Sequence, residues 1–294
     1  MPARRCVPVC LLWLAALAGA RAAEEIPTRP ARDGFRFVQL SDLHCARART
    51  NPPPRFPFDP HRKDLVHSFA LLEAAVREIN ESVKPDFVVI TGDLVERGRD
   101  RESLARVKAA LDKLACPYYP VIGDHESRAA WAEVFGPERL NYTFRHGGWR
   151  FIAADASPGA LDKATLAWLE GELGADAATP TALLVHRPLV VPDLYIAAAR
   201  EAYGVPLLLG NAAEVRERLL KAGNVRAVFA GHCHVGIECK SPGLSHYVAP
   251  ALVGPGNSYR IVEMRGTVIR TELRALGAPV GLQQPRPGVG PKRP

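Results

Sequence analysis

The chain has 294 residues, of which 47% are hydrophobic and 23% charged, and this composition is ordinary for a folded globular protein with a sizeable core. The formal net charge of +7 does not predict a nucleic-acid surface, because six basic residues lie near the two ends of the chain. The rest of the chain carries a net charge of about +1 without Arg4, Arg5, Arg21, Arg286, Lys292 and Arg293.

The first residues predict an export signal. Arg4 and Arg5 precede an apolar run over residues 6–18, and Ala20-Arg21-Ala22 has small residues at the spacing of a cleavage site. The run is shorter than the ~20 residues of a spanning helix, so a signal peptide over residues 1–23 is favoured over an uncleaved anchor. We therefore expect a secreted or periplasmic protein whose mature chain has no transmembrane helix.

Strands and helices are predicted to alternate through the first half of the chain. Short apolar runs bounded by turn residues indicate strands, and apolar residues at helical spacing indicate the helices between them. This alternation predicts an α/β sheet with a ligand-binding crevice beyond the carboxyl ends of its strands. The predicted strands are 35–40, 87–90 and 118–122, and the predicted helices are 64–83 and 101–114.

The second half predicts a more mixed arrangement. Two hairpins, around His146-Gly147-Gly148 and Arg265-Gly266, indicate that part of the sheet is antiparallel. We find no internal repeat or composition break, so we predict one domain over residues 34–274 and a disordered, Pro/Gly-rich tail over 275–294. Further strands are predicted at 181–185 and 225–229, helices at 161–173 and 212–221, and loops at 51–60, 189–210 and 250–258.

Five of the predicted strands end in residues of metal-ligand type. Each has a structural explanation on its own, because a histidine after a strand commonly bonds a backbone carbonyl and Gly-Asp is a common turn. Five placements at the same kind of position instead indicate a metal site with the mixed imidazole and carboxylate ligands of transition metals. The candidates are Asp42, His44, Asp93, Asp124, His125, His186, His232 and His234.

The ordered series of motifs resembles the calcineurin-like metallophosphoesterases. The resemblance extends over residues 35–234 and implies a β-sandwich of mixed sheets flanked by helices, with αββα layers and a dinuclear metal centre at one edge. Within that family, the pattern is most similar to the bacterial class III cyclic-nucleotide phosphodiesterases. The motifs are Asp42-Leu43-His44, Gly92-Asp93, Gly123-Asp124-His125-Glu126, His186 and Gly231-His232-Cys233-His234.

The resemblance also implies roles for these residues. Two divalent ions, chosen from Mn, Fe, Zn and Mg, would lie about 3.5–4 Å apart and activate a bridging hydroxide for attack on phosphorus. His125 would stabilise or protonate the leaving oxygen. The implied ligands are Asp42, His44 and His234 for one ion, Asp124, His186 and His232 for the other, and Asp93 as the bridge.

The expected function is therefore metal-dependent hydrolysis of a small-molecule phosphate ester, either a diester or a monoester. The alternative is a catalytically weak or inactive metal-binding or interaction protein that retains the fold. Asp124 keeps this alternative open, because the family usually has asparagine there and a carboxylate adds negative charge beside the incoming phosphate. Arg187 is open to two interpretations, a contact to the substrate phosphate or a structural salt bridge.

The cysteines give little information about the site. Cys233 lies between two candidate ligands, but its side chain is expected to point away from theirs, so a buried structural cysteine is the favoured interpretation. The four cysteines that follow the predicted signal allow three disulfide pairings, and the sequence does not choose among them.

Overall fold

Two β-sheets form the centre of the fold. The computed structural model describes residues 34–55, 59, 61–204, 206–241 and 243–277, and in these residues eleven strands form the two sheets. The first sheet contains β1 (Phe35–Leu40), β2 (Phe87–Thr91), β3 (Tyr118–Val121), β10 (Ser258–Arg265) and β11 (Val268–Ala275). The second contains β4 (Tyr142–His146), β5 (Trp149–Ala153), β6 (Thr181–Leu184), β7 (Val225–Ala230), β8 (Ile237–Ser241) and β9 (Leu244–Val248).

Both sheets are mixed, each with a set of parallel strands and antiparallel strands beside it. The first has the order β11-β10-β1-β2-β3, in which β1, β2 and β3 are parallel and β10 and β11 are antiparallel to their neighbours. The second has the order β4-β5-β6-β7-β9-β8, in which β4 and β8 are the antiparallel strands. The parallel strands therefore deliver their carboxyl ends to a common edge, as the sequence predicts.

Helices cover the outer faces of both sheets. Apolar residues of the first three helices join β1 and β2 in one buried cluster, whereas the fourth and sixth helices join β5, β6 and β7 in another. These layers confirm the predicted α/β sandwich of mixed sheets flanked by helices. The helices are α1 (Ser68–Glu78), which continues into a π-helical turn (Ile79–Val83), α2 (Arg101–Leu111), α3 (Arg128–Phe135), α4 (Lys163–Ala175), α5 (Asp193–Tyr203) and α6 (Ala212–Ala222).

Aromatic rings fill the space between the sheets. Phe37 of β1 stacks on Phe87 of β2 at 4.9 Å between centroids, and meets Phe229 of β7 edge-on at 5.2 Å. These rings are almost fully buried, and aromatic burial is a large source of packing stability. This packing fixes β7 against β1 and β2, so the residues that follow the three strands keep a constant spacing.

One predicted loop is wrong over half of its length. Residues 189–210 contain α5, which begins immediately after Pro192 with Asp193 in its first turn. Its apolar residues pack in a small cluster with Val191, Leu207 and the buried Cys233. The helix is short and depends on this contact with the turn that contains Cys233, which is a tertiary effect that local sequence does not show.

The described chain extends slightly beyond the predicted domain end at 274. β11 ends at Ala275, and the buried Leu276 donates its N–H to the carbonyl of Asn257 at 2.7 Å. The predicted signal peptide and residues 278–294 of the predicted tail lie outside the described residues. Within the described ranges, no helix is long and apolar enough to cross a membrane.

Candidate metal centre

The eight candidate residues lie together at one edge of the sandwich. They follow five strands, β1, β2, β3, β6 and β7, as the sequence predicts. Seven of them form two neighbouring groups. Within each group, the possible ligand atoms lie within 4.8 Å of one another. The groups are Asp42, His44 and His234, and Asp93, Asp124, His186 and His232.

Backbone strain is concentrated in this edge. Five candidate residues have a positive φ, a conformation that costs a non-glycine residue about 1–2 kcal/mol. Inter-strand hydrogen bonds hold two of them in place: Asp42 donates its N–H to the carbonyl of Gly92 at 3.0 Å, and His44 to that of Asp93 at 2.9 Å. The five are Asp42 (51°), His44 (38°), Asp93 (53°), His232 (68°) and His234 (60°).

Glycines precede three of the candidate ligands and allow close approach. A Cβ at Gly92, where φ is +94°, would lie 2.3 Å from Nδ1 of His186. A Cβ at Gly231 would lie 1.9 Å from the hydroxyl oxygen of Ser41. The strand ends are therefore packed so tightly that only glycine leaves room for the side chains of the site.

The first group contains two facing imidazole nitrogens. Nε2 of His44 lies 3.1 Å from Nε2 of His234, and the latter lies 3.3 Å from Oδ1 of Asp42. Nδ1 of His44 is 2.9 Å from Oε2 of Glu96, which accepts its proton. Since the Nδ1 proton is used in this way, Nε2 of His44 presents a lone pair to the group.

The second group holds a buried imidazole nitrogen against a buried carboxylate oxygen. Nδ1 of His186 donates to the carbonyl of Thr91 at 2.7 Å, so Nε2 is the nitrogen that faces the group. That Nε2 lies 2.8 Å from Oδ1 of Asp124, and neither buried atom has another hydrogen-bond partner. A proton on Nε2 would pair the two atoms, and a shared cation would take its place.

Asp93 lies between the two groups. Its Oδ2 is 3.6 Å from Nε2 of His44 and 3.3 Å from Nε2 of His186. Its Oδ1 accepts the backbone N–H of His125 at 3.1 Å, which fixes the orientation of the carboxylate. The structure therefore places Asp93 where a ligand common to both groups would lie.

The aspartates of the two groups are ionised at neutral pH, because their pKa values are lowered. Burial alone would raise the pKa of Asp42, but the neighbouring His234 and His186 hold it at about 2. Burial is likewise outweighed at His186, whose pKa is raised well above its usual range by Asp93 and Asp124. The pocket thus attracts a positive charge, and a metal ion would take the position of the imidazole proton.

His125 lies at the mouth of the site. Nδ1 donates to the carbonyl of Glu96 at 2.8 Å, and Nε2 is 3.9 Å from Oδ2 of Asp93. The side chain is 34% exposed, and its ring meets that of His44 edge-on. His125 therefore has one nitrogen anchored by the backbone and the other facing the position where a ligand of the site would enter.

Three further residues of the site were not predicted from the sequence. Glu96 accepts from His44, and Lys63 donates to Glu96 at 2.8 Å. His61, which follows the proline-rich segment directly, stacks on His234 with 4.8 Å between the rings. Glu96 could have been found from its position three residues after Asp93, but no signal in the sequence brings residues 61 and 63 to this edge.

The structure shows the surroundings of Arg187 and Cys233. Arg187 forms a salt bridge with Oδ2 of Asp124. Cys233 is fully buried in the cluster with α5 and belongs to neither group of candidate ligands. The four cysteines of the described residues are all free thiols.

A family model described as Calcineurin-like phosphoesterase matches residues 35–236, a stretch that contains all five motifs. The chain belongs to this family. A protein of Rhodopseudomonas palustris named probable cyclic nucleotide phosphodiesterase is 31% identical over 250 residues, which cover 76% of this chain and 83% of that protein.

A further relative and a solved structure are also similar to this chain. A probable cyclic nucleotide phosphodiesterase of Synechococcus is 31% identical over 157 residues, or 51% of this chain. The match covers only 58% of that relative, so the chain spans little more than half of its length. The crystal structure of a dimetal phosphatase from Danio rerio has the same fold, with a TM-score of 0.63 and 17% identity over 83% of this chain and 99% of that one.

The close approach at Gly92 gives a prediction about metal retention. We expect Gly92→Ala to displace the ring of His186 and to lower bound metal, measured by inductively coupled plasma mass spectrometry, to one ion per chain or fewer. Gly148→Ala is the matched control, because Gly148 also has a positive φ (+78°) but has nothing within 4 Å of the added Cβ. The control costs about 1 kcal/mol of backbone strain and keeps the wild-type metal content. Equal metal content in the two variants would contradict the role given to Gly92.

Proposed function

We propose that the protein hydrolyses phosphate esters at a centre of two divalent metal ions. The observation that carries this proposal is the pair of candidate ligand groups on either side of Asp93, in which buried Nε2 of His186 and Oδ1 of Asp124 face each other without another partner. Membership of the phosphoesterase family and the dimetal phosphatase among the structural neighbours support it.

Each ion would take one group of ligands. Asp42, His44 and His234 would hold the first ion, and Asp124, His186 and His232 the second, with Asp93 shared between them. When bound, two such ions supply Lewis acidity towards phosphate oxygens and lower the pKa of a bound water. The mixed nitrogen and oxygen ligands suit Mn, Fe or Zn better than Mg, which prefers oxygen alone.

Three of the four histidines in the two groups have a contact that orients the ring and favours the tautomer that a metal requires. His44 is oriented by Glu96, His186 by the carbonyl of Thr91, and Nε2 of His232 lies 3.1 Å from the carbonyl of Pro206. Each contact uses the proton of one ring nitrogen and leaves the other nitrogen free for the ion. The protein therefore contributes prearranged ligands and needs little reorganisation when metal binds.

His125 would act on the leaving group. Its Nδ1 proton is held by the carbonyl of Glu96, so Nε2 is the nitrogen that can carry the reacting proton. A protonated Nε2 at the mouth of the site can donate to the oxygen that departs from phosphorus. The backbone anchor on Nδ1 keeps the ring orientation constant during this transfer.

The substrate that we propose is a small phosphodiester, with 3′,5′-cyclic nucleotides as the first compounds to test. Support comes from the names of the relatives in Rhodopseudomonas and Synechococcus, both probable cyclic nucleotide phosphodiesterases. The net charge outside the chain ends is close to zero, which does not favour a polymeric nucleic acid. Phosphomonoesters use the same kind of centre and are the alternative substrates.

We also propose that the protein is exported. The support is the sequence alone: Arg4 and Arg5, the apolar run over residues 6–18 and the small residues at 20–22. An exported enzyme would meet phosphate esters outside the cytoplasm.

The activity can be tested with bis(p-nitrophenyl) phosphate and p-nitrophenyl phosphate in the presence of Mn, Fe, Zn or Mg. We expect the wild type to hydrolyse the diester faster, and chelation to abolish turnover. His232→Ala is the inactive control, because it removes a ligand of the second ion. Metal binding without turnover of either ester or of cyclic nucleotides would instead favour a metal-binding protein that has lost catalysis.

The role of His125 predicts a dependence on the leaving group. In a series of diaryl phosphates, His125→Ala should slow hydrolysis by about 10²-fold or more when the leaving phenol is weakly acidic. With p-nitrophenol the loss should be less than about tenfold, because this group departs without a proton. His146→Ala serves as the control, because His146 packs on Phe35 at the start of β1, away from the strand ends of the site. An equal loss across the series would contradict proton donation by His125.

Export predicts a shortened mature chain. When the full sequence is expressed in a Gram-negative bacterium, we expect the protein in the periplasmic fraction with a new N-terminus at about residue 24, measured by intact-mass spectrometry. Replacing Arg4 and Arg5 with glutamate should keep the uncleaved chain in the cytoplasm. An intact N-terminus in the wild-type cytoplasmic fraction would contradict the proposal.

A further inference from the structure

The two oxygens of Asp124 have different partners. Oδ1 faces the second ligand group, at 2.8 Å from Nε2 of His186 and 3.5 Å from Nδ1 of His232. Oδ2 points away from that group and forms a salt bridge with the guanidinium of Arg187. The carboxylate therefore offers one oxygen to an ion and the other to a fixed positive charge.

Arg187 is held in this position from several sides. Its side chain is only 16% exposed, and Nη1 donates to the carbonyl of Pro206 at 3.4 Å. The same carbonyl lies 3.1 Å from Nε2 of His232. A Cβ built at Gly159 would lie 3.8 Å from Nη1, so this loop also lines the guanidinium. These contacts leave Arg187 directed at Asp124, and they connect it to the orientation of His232.

The pocket contains several negative charges, so the salt bridge between Asp124 and Arg187 affects how well it can bind an anion. Asp42, Asp93 and Asp124 all point their carboxylates into the two ligand groups. A phosphate ester brings further negative charge to the same place, and like charges at short range weaken binding in a partly buried site. Arg187 is the cation paired with Asp124, and at the first group Lys63 is similarly paired with Glu96 at 2.8 Å.

We propose that Arg187 is a positioning residue that cancels the charge of Asp124, directs Oδ1 of Asp124 to the second ion, and thereby sets the affinity of the metal-loaded centre for phosphate. The proposal rests on the two-ion centre of the proposed function, but it concerns anion binding and requires no turnover. It accounts for a carboxylate at position 124, because the Asp124–Arg187 pair has the same net charge as a neutral amide ligand.

The test is a double-mutant cycle in the Mn-loaded full chain, with inorganic phosphate as the probe and isothermal titration calorimetry as the measurement. Arg187→Ala should weaken phosphate binding about tenfold, because it leaves the charge of Asp124 uncompensated. Asp124→Asn should strengthen binding, because it leaves the charge of Arg187 uncompensated. The double variant, whose net charge equals that of the wild type, should return to within about threefold of it.

Two controls separate charge compensation from other effects. Arg187→Lys keeps the positive charge and should bind phosphate within about threefold of the wild type, which a purely packing role would not produce. Arg218→Ala removes an arginine paired with Glu170 and Glu214 on the α4 and α6 surfaces, and should leave phosphate affinity unchanged. Metal content, measured on every variant, should remain at two ions per chain.

Two results would overturn the proposal. A double variant as weak as Arg187→Ala would show that Arg187 contacts the anion itself, and an unchanged affinity in Arg187→Ala would show that its charge is not felt in the pocket. If Arg187→Ala does not fold, Arg187→Gln replaces it in the cycle. If the protein binds phosphate but hydrolyses no ester, the proposed function is wrong. The phosphate affinities of the double-mutant cycle would still test the role of Arg187.

Discussion

The structure depends on buried ligand-type atoms that face one another. Nε2 of His186 and Oδ1 of Asp124 lie 2.8 Å apart and have no other hydrogen-bond partner, and Oδ2 of Asp93 lies 3.3 Å from the same nitrogen. Buried ionised carboxylates are costly unless they are paired or bind a metal. Cations held between the ligand groups would offset that cost, which explains how one edge of the domain can hold so many polar side chains.

The rest of the fold keeps this edge in place. Stacked rings such as Phe37 and Phe87 fix the spacing of the strands, and glycines such as Gly92 let the strand ends approach one another. Five candidate ligands have a positive φ, so the site also costs free energy through backbone strain. Strain of this kind persists only where the surrounding packing is rigid, as it is between the two sheets.

Features that depend on the order of the strands could be predicted from the sequence, whereas features that depend on packing between distant segments could not. The clustering of the candidate ligands was predictable, because parallel strands bring their carboxyl ends together. Residues that follow different strands in the sequence, such as Asp93 and His186, are therefore neighbours in space. The helix α5 was missed because it is short and depends on packing near Cys233. The proline-rich segment gave no indication that His61 stacks on His234, because no periodic pattern links a loop to a distant strand end. The sequence could not show that Arg187 pairs with Asp124, because a salt bridge depends on the distance between two side chains in the folded chain.

The central claim is that two ions share Asp93 between the two ligand groups, and anomalous diffraction from crystals grown with Mn tests it most directly. The structure predicts two anomalous peaks, one among Asp42, His44 and His234 and the other among Asp124, His186 and His232. Their separation should be about 3.5–4 Å, with Asp93 in contact with both. A single peak, or two peaks that do not share Asp93, would contradict the account.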